Sequence, residues 1–327
     1  MLKPFNEIWT SLQTELQPFE ERRADVYSRI KKALFIVIPL AIVMVIGAFA
    51  IFASTENGLV AGLFGVVGAA VCFGIYYFMA GKHYTAFIND FKTQVIGTII
   101  QSIYPGFQYD HKAHISQEDY YRSKLFTRTC DRYRGEDLVW GKLDKTDIAF
   151  SELHTEYKTK DSKGNTSWHT IFKGLFMIMD SNKHFKGETY IFPDVAEGLF
   201  GGFGKWLQQK TDWMSSHGEV VYMENVEFEK QFKVMGSDQI EARYLITPAM
   251  MERILELKNK KKRTISLSFV GSSIFVAIQS GYTNLFEPSL RKSLNEPETV
   301  REFYDQMAAC LEVVELLDLN TRIWTKE

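Results

Sequence analysis

Two uncharged apolar runs laid back to back constrain this chain more than any other feature. Residues 33–53 read ALFIVIPLAIVMVIGAFAIFA, the turn STENG follows, and residues 59–80 read LVAGLFGVVGAAVCFGIYYFMA. Each run is about 20 residues, the length an α-helix needs to cross a hydrocarbon layer of ~30 Å. Neither holds an Asp, Glu, Lys or Arg, each of which costs about 2.5–3.5 kcal/mol at mid-membrane. Two spans joined by so short a turn return to the side they left. Arg22, Arg23, Arg29, Lys31 and Lys32 crowd the entrance to the first, and Lys82, His83 and Lys92 follow the second. The bias of Lys and Arg toward the cytoplasmic side places both termini in the cytoplasm.

The whole-chain average conceals this division. A net charge of −2 with 24% charged residues mixes a neutral hairpin with a charged remainder. Three cysteines are too few for a disulfide framework and suit a reducing compartment. The absence of an ionisable group from either span argues against a channel or transporter built from this hairpin alone.

Before the hairpin, Phe5, Trp9, Leu12, Leu16, Phe19, Arg23, Val26 and Ile30 recur at alternating spacings of four and three. That is the period of a coiled-coil seam, interrupted by Arg23. Pro18 is expected to kink or divide this helix. The seam has two readings: self-association through Trp9, Leu12 and Leu16, or an amphipathic helix packed on its own chain or on the bilayer. In the second span, small residues four apart such as Ala61, Gly65 and Ala69 let helices approach closely. These residues either pack the two spans on each other or, through Gly62 and Gly65, meet a second protomer or another membrane protein.

Beyond the spans, Phe87, Phe91, Val95, Ile99 and Ile103 draw an apolar stripe along a helix that Pro105-Gly106 stops. Ser116 and Asp119 open a short helix as a variant of the capping box. From Leu138 the pattern turns to strands. LVWGKLDKTDIAFSELHTEYKT and SWHTIFKGLFMIMD flank the turn SKGNTS, and GETYIFPD follows. GEVVYMENVEFEKQFKVMG and IEARYLIT read as further strands, with Glu224, Glu227 and Glu229 on a solvent face. Pro248 opens a helix, Gly271-Ser272 turns a hairpin, and a helix from about Pro297 to Leu317 follows. Strands and helices without regular alternation give an α+β fold: a transmembrane helical hairpin followed by a cytoplasmic mixed antiparallel-sheet and helix domain. The expected segments are an amphipathic helix over 1–32, the hairpin over 33–80, connecting helices over 81–136 and the α+β domain over 137–327.

Sites of chemistry are scarce. The chain has no G-x-S-x-G, H-E-x-x-H or C-x-x-C. His111 and His114 beside Asp110, with Cys130 further on, are a sparse basis for a metal site, and neither a metal nor a cofactor is expected. The Gly-rich stretch from Ala196 to Met214 fails the phosphate-loop pattern, because Leu199 and Trp206 stand where Gly and Ser/Thr are needed. It reads instead as a loop over the sheet, or as an interfacial wedge that dips Trp206 and Trp213 toward lipid headgroups. The basic run Lys258, Lys260, Lys261, Lys262 and Arg263 reads either as a contact to anionic lipid or as a solvated helix end. It lacks the interleaved aromatics of a nucleic-acid surface. Asp238, Gln239, Glu241 and Arg243 offer a polar rim for a partner.

The stretches GEDLVWGKLDKTDIAFSELHTEY, FKGLFMIMDSNKHFKG and FEKQFKVMGSDQIEARYLITPAMMERI, set behind a double span, resemble an uncharacterised family of bacterial two-span membrane proteins, the domain of unknown function 3137. The resemblance implies a bacterial inner-membrane protein and supplies no site residues. Taken together, the expected role is a membrane-anchored cytoplasmic binding or scaffolding module, with lipid, a second copy or another membrane protein as partner. The competing reading is a membrane-tethered hydrolase or transferase that uses His154, His169 or His184 with a nearby acid.

Overall fold

The computed structural model describes residues 3–143, 146–181, 184–194, 217–261, 263–279 and 285–321. They fall into two compact units, Lys3–Ile99 with Phe286–Tyr304, and Ile100–Leu285 with Asp305–Glu327.

The first unit is built on two long helices, α1 (Phe5–Thr55) and α2 (Gly58–Ile103), the second of which continues past this unit. Between them, Glu56 adopts a left-handed conformation and Asn57 caps α2 by accepting from the Leu59 and Val60 amides. Pro18 does not divide α1, which runs unbroken through Pro18 and Pro39. The buried stripe on either side of Pro18 holds the helix together across the missing N–H.

That stripe is Phe5, Ile8, Leu12, Leu16, Phe19 and Val26, with Ile8 taking the place expected of Trp9. Its partners come from within the unit. Phe19 meets Phe91 of α2 edge-on at 6.0 Å, and Phe5 meets Tyr304 edge-on at 5.6 Å. Leu12 and Leu16 are each 1% exposed, so the seam is filled by this chain's own residues. Arg23, the break in the seam, forms a two-pronged pair with Glu20 at 2.7 and 2.8 Å and donates to the Leu290 carbonyl. Glu20 in turn accepts from the Leu294 amide at 2.8 Å.

The membrane-length segments behave differently. No residue of the most apolar window of α1 is buried, and 17% of the corresponding window of α2 is. Phe35, Phe49 and Leu59 are 83%, 73% and 87% exposed. A core helix of a water-soluble fold would cover such side chains, so the pair reads as membrane-embedded. The two helices touch where side chains are small. A Cβ on Gly68 would meet Met44 at 3.0 Å, and one on Gly47 would meet Phe64 at 3.0 Å. Nothing lies within 4 Å of a Cβ placed on Gly62 or Gly65, so neither packs the hairpin. Two π-helical turns interrupt α2, Tyr77–Gly81 at the end of its apolar run and Phe91–Ile96 beyond it.

The second unit carries one antiparallel sheet of nine described strands: β1 (Phe107–Asp110), β2 (Arg132–Leu143), β3 (Thr146–Lys160), β4 (Thr166–Asp180), β5 (Thr189–Pro193), β6 (Glu219–Val221), β7 (Phe232–Gly236), β8 (Thr264–Val270) and β9 (Ser273–Gln279). Their order across the sheet is β1-β2-β3-β4-β9-β8-β5-β7-β6. Helices α3 (Gln117–Arg122), α4 (Val226–Gln231), α5 (Gln239–Leu245), α6 (Pro248–Lys261) and α7 (Pro297–Thr321) complete the elements. α7 passes through both units. On one face of the sheet, Tyr120, Leu125 and Phe126 pack with Phe172, Phe176 and Phe275. Tyr120 stacks on Phe126 at 4.8 Å, and its hydroxyl meets Thr155 Oγ1 at 3.0 Å. The single polar atom of the buried tyrosine is thereby paired, as its desolvation requires. The β8–β9 turn has Gly271 at φ 64°, the left-handed position a two-residue hairpin needs.

Three expectations are corrected here. The stretch expected to hold only connecting helices contains β1, paired with β2. IEARYLIT, read as a strand, forms α5. Glu227 and Glu229, read as alternating on a strand, lie in the first turn of α4.

Arg23's hydrogen bonds hold the Glu20 carboxyl below its ordinary value of 4.5. A depressed folded pKa means that the stabilisation is present above that ordinary value and is lost as pH falls through the depressed one. Exchange of the Leu294 amide, corrected for its intrinsic rate, is therefore expected to be slow at neutral pH and to accelerate in acid. A protection factor that stays level across that range would contradict the contact.

Candidate docking surface at the sheet edge

Among the described residues β6 is the last strand of the sheet, and no described strand pairs with its outer side. Gly218, at φ 84°, leads into it, and a Cβ there would strike the Gly236 carbonyl at 2.4 Å. An exposed strand edge invites pairing with another chain. Here α5 lies along it. Gln239 Nε2 donates to the Val220 carbonyl at 3.1 Å, and Arg243 Nε donates to the Tyr222 carbonyl at 3.4 Å. The periods match: four helical residues rise about 6 Å and two strand residues about 6.6 Å. The helix is fixed by Asp238, whose carboxylate accepts from the Ile240 and Glu241 amides. Glu241 reaches back and accepts from the Lys186 and Gly187 amides.

With Gln239 and Arg243 turned to the strand, Ile240 and Tyr244, again four residues apart, face outward at 82% and 55% exposure. Tyr222 and Val226, in the connection from β6 to α4, are 71% and 68% exposed. Outside residues 34–78, the described residues expose five large apolar side chains, and four of them are these. The connection is ordered rather than slack. Asn225 caps α4 through the Phe228 amide at 3.0 Å, Glu229 accepts from the Met223 amide at 2.7 Å, and the Phe228 ring is fully buried. Behind Tyr222 opens a cleft of about 190 Å³ bordered by Val220, Met223, Glu229 and Phe232. Between residues 219 and 244 the sequence has six acids against three bases. Glu219, Glu224 and Glu227 are exposed. The corner is thus an apolar patch with an acidic rim, which suits a partner face that is apolar and basic.

The residues singled out in the sequence are placed as follows. Asp238, Gln239, Glu241 and Arg243 are engaged in caps and edge carbonyls, and the apolar residues between them hold the exposed positions. Lys260 pairs with Glu256 at 2.7 Å and with Glu312 at 2.8 Å, and those hydrogen bonds raise its pKa above the ordinary value. Lys258 lies over the Phe232 ring at 5.3 Å, and Arg263 is exposed. Lys262, Trp206 and Trp213 lie outside the described residues, as does the side chain of Lys261. Trp9 is half-buried.

The structure does not gather His111, His114, Asp110 and Cys130 around one point. Asp110 accepts from the Lys112 amide, His114 Nδ1 lies 2.9 Å from the Ile115 carbonyl, and Cys130 Sγ lies 3.0 Å from the Tyr121 hydroxyl. It does gather an oxygen cluster that the sequence did not signal, Glu136, Asp137 and Glu152, at the β2 bulge where Asp137 has φ 61°. Tyr109 donates to Asp137 at 2.5 Å and the Leu285 amide to Glu152 at 2.9 Å. Burial, then the Asp137 charge, pushes the Tyr109 hydroxyl far above its ordinary range. Of the histidines, His154 Nε2 lies 3.7 Å from Glu156, and burial holds its pKa below the usual value. His169 stacks on Tyr157 at 4.9 Å, and His184 Nδ1 lies 2.6 Å from Ser272 Oγ in the exposed β8–β9 turn.

Residues 170–319 match the family described as "Protein of unknown function (DUF3137)". This is the family the sequence resembles, and the matched stretch contains the whole acidic-apolar corner. No curated protein matches the chain. Among solved structures, the crystal structure of the mycobacterial trehalose monomycolate transport factor A, TtfA, aligns over 66% of this chain and 96% of its own. Its identity is 11% and its TM-score 0.31, a likeness that carries no argument.

Replacing Asp238 by Ala removes the N-cap of a seven-residue helix. It is expected to cost about 1 kcal/mol locally and to speed exchange of α5 amides several-fold. Unchanged exchange at Ala242 would contradict the capping role.

Proposed function

We propose that this chain, which carries a domain of that family over residues 170–319, is a membrane-anchored binding module. Its second unit presents a fixed docking surface to a protein partner. The observation that carries this reading is the exposed quartet Tyr222, Val226, Ile240 and Tyr244, held by capped helices over a closed strand edge. Groups that are exposed, apolar and held in place lose little conformational freedom on binding, which favours a docking role over a mobile loop. Closure of the edge also directs recognition to side chains and away from strand addition.

The resemblance to that family implies a bacterial inner membrane. The orientation in it follows from charge: both termini lie in the cytoplasm, because the cationic residues flank the hairpin's open end and the connecting turn carries none. The binding module then works at the cytoplasmic face. Anchoring restricts it to that surface and raises its effective concentration toward partners held there.

A photoreactive amino acid installed in place of Ile240 in the full-length protein tests the reading in intact cells. The expected result is a light-dependent covalent adduct with a protein, lost when Tyr244→Asp is added. The same probe giving no protein adduct would overturn the docking role.

A further inference from the structure

The module carries a second surface whose chemistry is the counterpart of the first. β3 and β4 outrun their neighbours. β2 reaches β3 no further than the Arg132–Glu156 pair, and β9 reaches β4 no further than Gln279–Gly174, among the described residues. The β3–β4 ladder continues for four more pairs, from Tyr157–His169 to Lys160–Thr166. Residues 157–169 therefore form a two-stranded arm flanked by no described strand. Its residues from Lys158 to Thr170 are exposed throughout.

The arm is basic: Lys160 and Lys163 stand against Asp161, and Lys158 at its root pairs with Asp131 at 3.5 Å. The Asp161 carboxylate is turned into the hairpin turn, where it accepts from the Lys163 and Asn165 amides. The root of the arm is stiffened by aromatic contacts. The Arg128 guanidinium lies 3.4 Å from the Tyr157 ring centre, and Arg132 lies 3.8 Å from that of Trp168. Trp168, at 40% exposure, is the fifth exposed apolar side chain outside residues 34–78. The arm is thus a basic projection, anchored at its root, with an aromatic side chain at hand.

We propose that the arm of one copy docks on the acidic-apolar corner of a second copy, so that the module assembles head to tail. The proposal rests on the corner being a docking surface and names what occupies it. Three observations support a second copy as the occupant. The charges are opposite, with lysines on the arm and Glu219, Glu224 and Glu227 on the rim. The corner carries four exposed apolar side chains and the arm carries one, Trp168, for the other to cover. The third is spacing. β4 and β6 are separated in the sheet order by β9, β8, β5 and β7, which sets them about 24 Å apart at the usual strand spacing. An arm that projects along its strands does not reach across that distance to its own corner. The contact is therefore between copies. It joins two different surfaces, so the resulting assembly can grow instead of closing as a two-fold dimer.

The test uses the full chain in mild detergent, with sedimentation velocity over a concentration series at low and high salt. Wild type is expected to associate beyond a dimer, and added salt is expected to weaken this. Reversing the arm with Lys160→Glu and Lys163→Glu is expected to weaken association about tenfold or more, as is reversing the rim with Glu224→Lys and Glu227→Lys. Carrying all four changes in one chain is expected to restore it, and so is mixing the two reversed proteins. Restoration also shows that each reversed protein is folded. Wild type that stays monomeric overturns the proposal. If the photoreactive probe at position 240 then labels a different protein, the docking reading survives alone, and if it labels none, both fail. Association indifferent to the reversals overturns the arm-to-corner contact. An arm reversal that lowers binding to vesicles of anionic lipid, without changing self-association, reassigns the arm to the membrane and overturns the proposal as well.

Discussion

Water excludes large apolar surfaces, and the outer sides of α1 and α2 over their apolar runs are covered by nothing else in the described chain. α1 and α2 satisfy every main-chain group internally over their apolar runs, so they are compatible with lipid. Their outer side chains stay bare, so they are poorly compatible with water. Gly47 and Gly68 let the two helices meet closely, but a pair of helices covers only the inner side of each. Lipid is the solvent that completes the structure, and the rest of the chain is organised by being attached to it.

A second constraint acts in the sheet. The nine described strands form an antiparallel sheet with two edges, and β6, short and followed by an exposed aromatic, is the last described strand at one of them. The molecule closes that edge with side chains in place of another strand. Gln239 and Arg243 reach Val220 and Tyr222 because helix and strand happen to advance by similar distances over four and two residues. The same spacing turns Ile240 and Tyr244 away from the strand. Edge protection and exposure of the patch are therefore one geometric fact. The histidines that were candidates for catalysis are not part of this corner, and His154, His169 and His184 meet Glu156, Tyr157 and Ser272 respectively.

How much of this was legible in the sequence depends on the range of the interaction involved. The hairpin was legible because absence of charge over a span is a local property. The β3–β4 and β8–β9 hairpins were legible because their turns are written in Asp161 to Asn165 and in Gly271. The stripe from Phe87 to Ile103 was legible from its spacing of four. α5 was misread because IEARYLIT alternates like a strand. The stronger signal lay just before it, where Asp238 and Glu241 stand as cap and third-position acid. The same holds for Asn225 before α4. Arg23 looked like a flaw in a seam, and its purpose appears only with Glu20 beside it and Leu290 far along the chain. The exposed quartet had no signature at all, because exposure is decided by which neighbours fold over a residue. The interval between Asp110 and Glu152, read for its histidines, instead gathers its carboxylates at a bulge that no spacing rule announces.

The central claim is that two uncovered apolar helices embed this chain in lipid, and alkaline carbonate extraction of cell membranes measures it most directly. The account predicts that the intact protein stays in the membrane pellet after the wash and leaves it only in detergent. Release of the intact protein into the carbonate supernatant would contradict it.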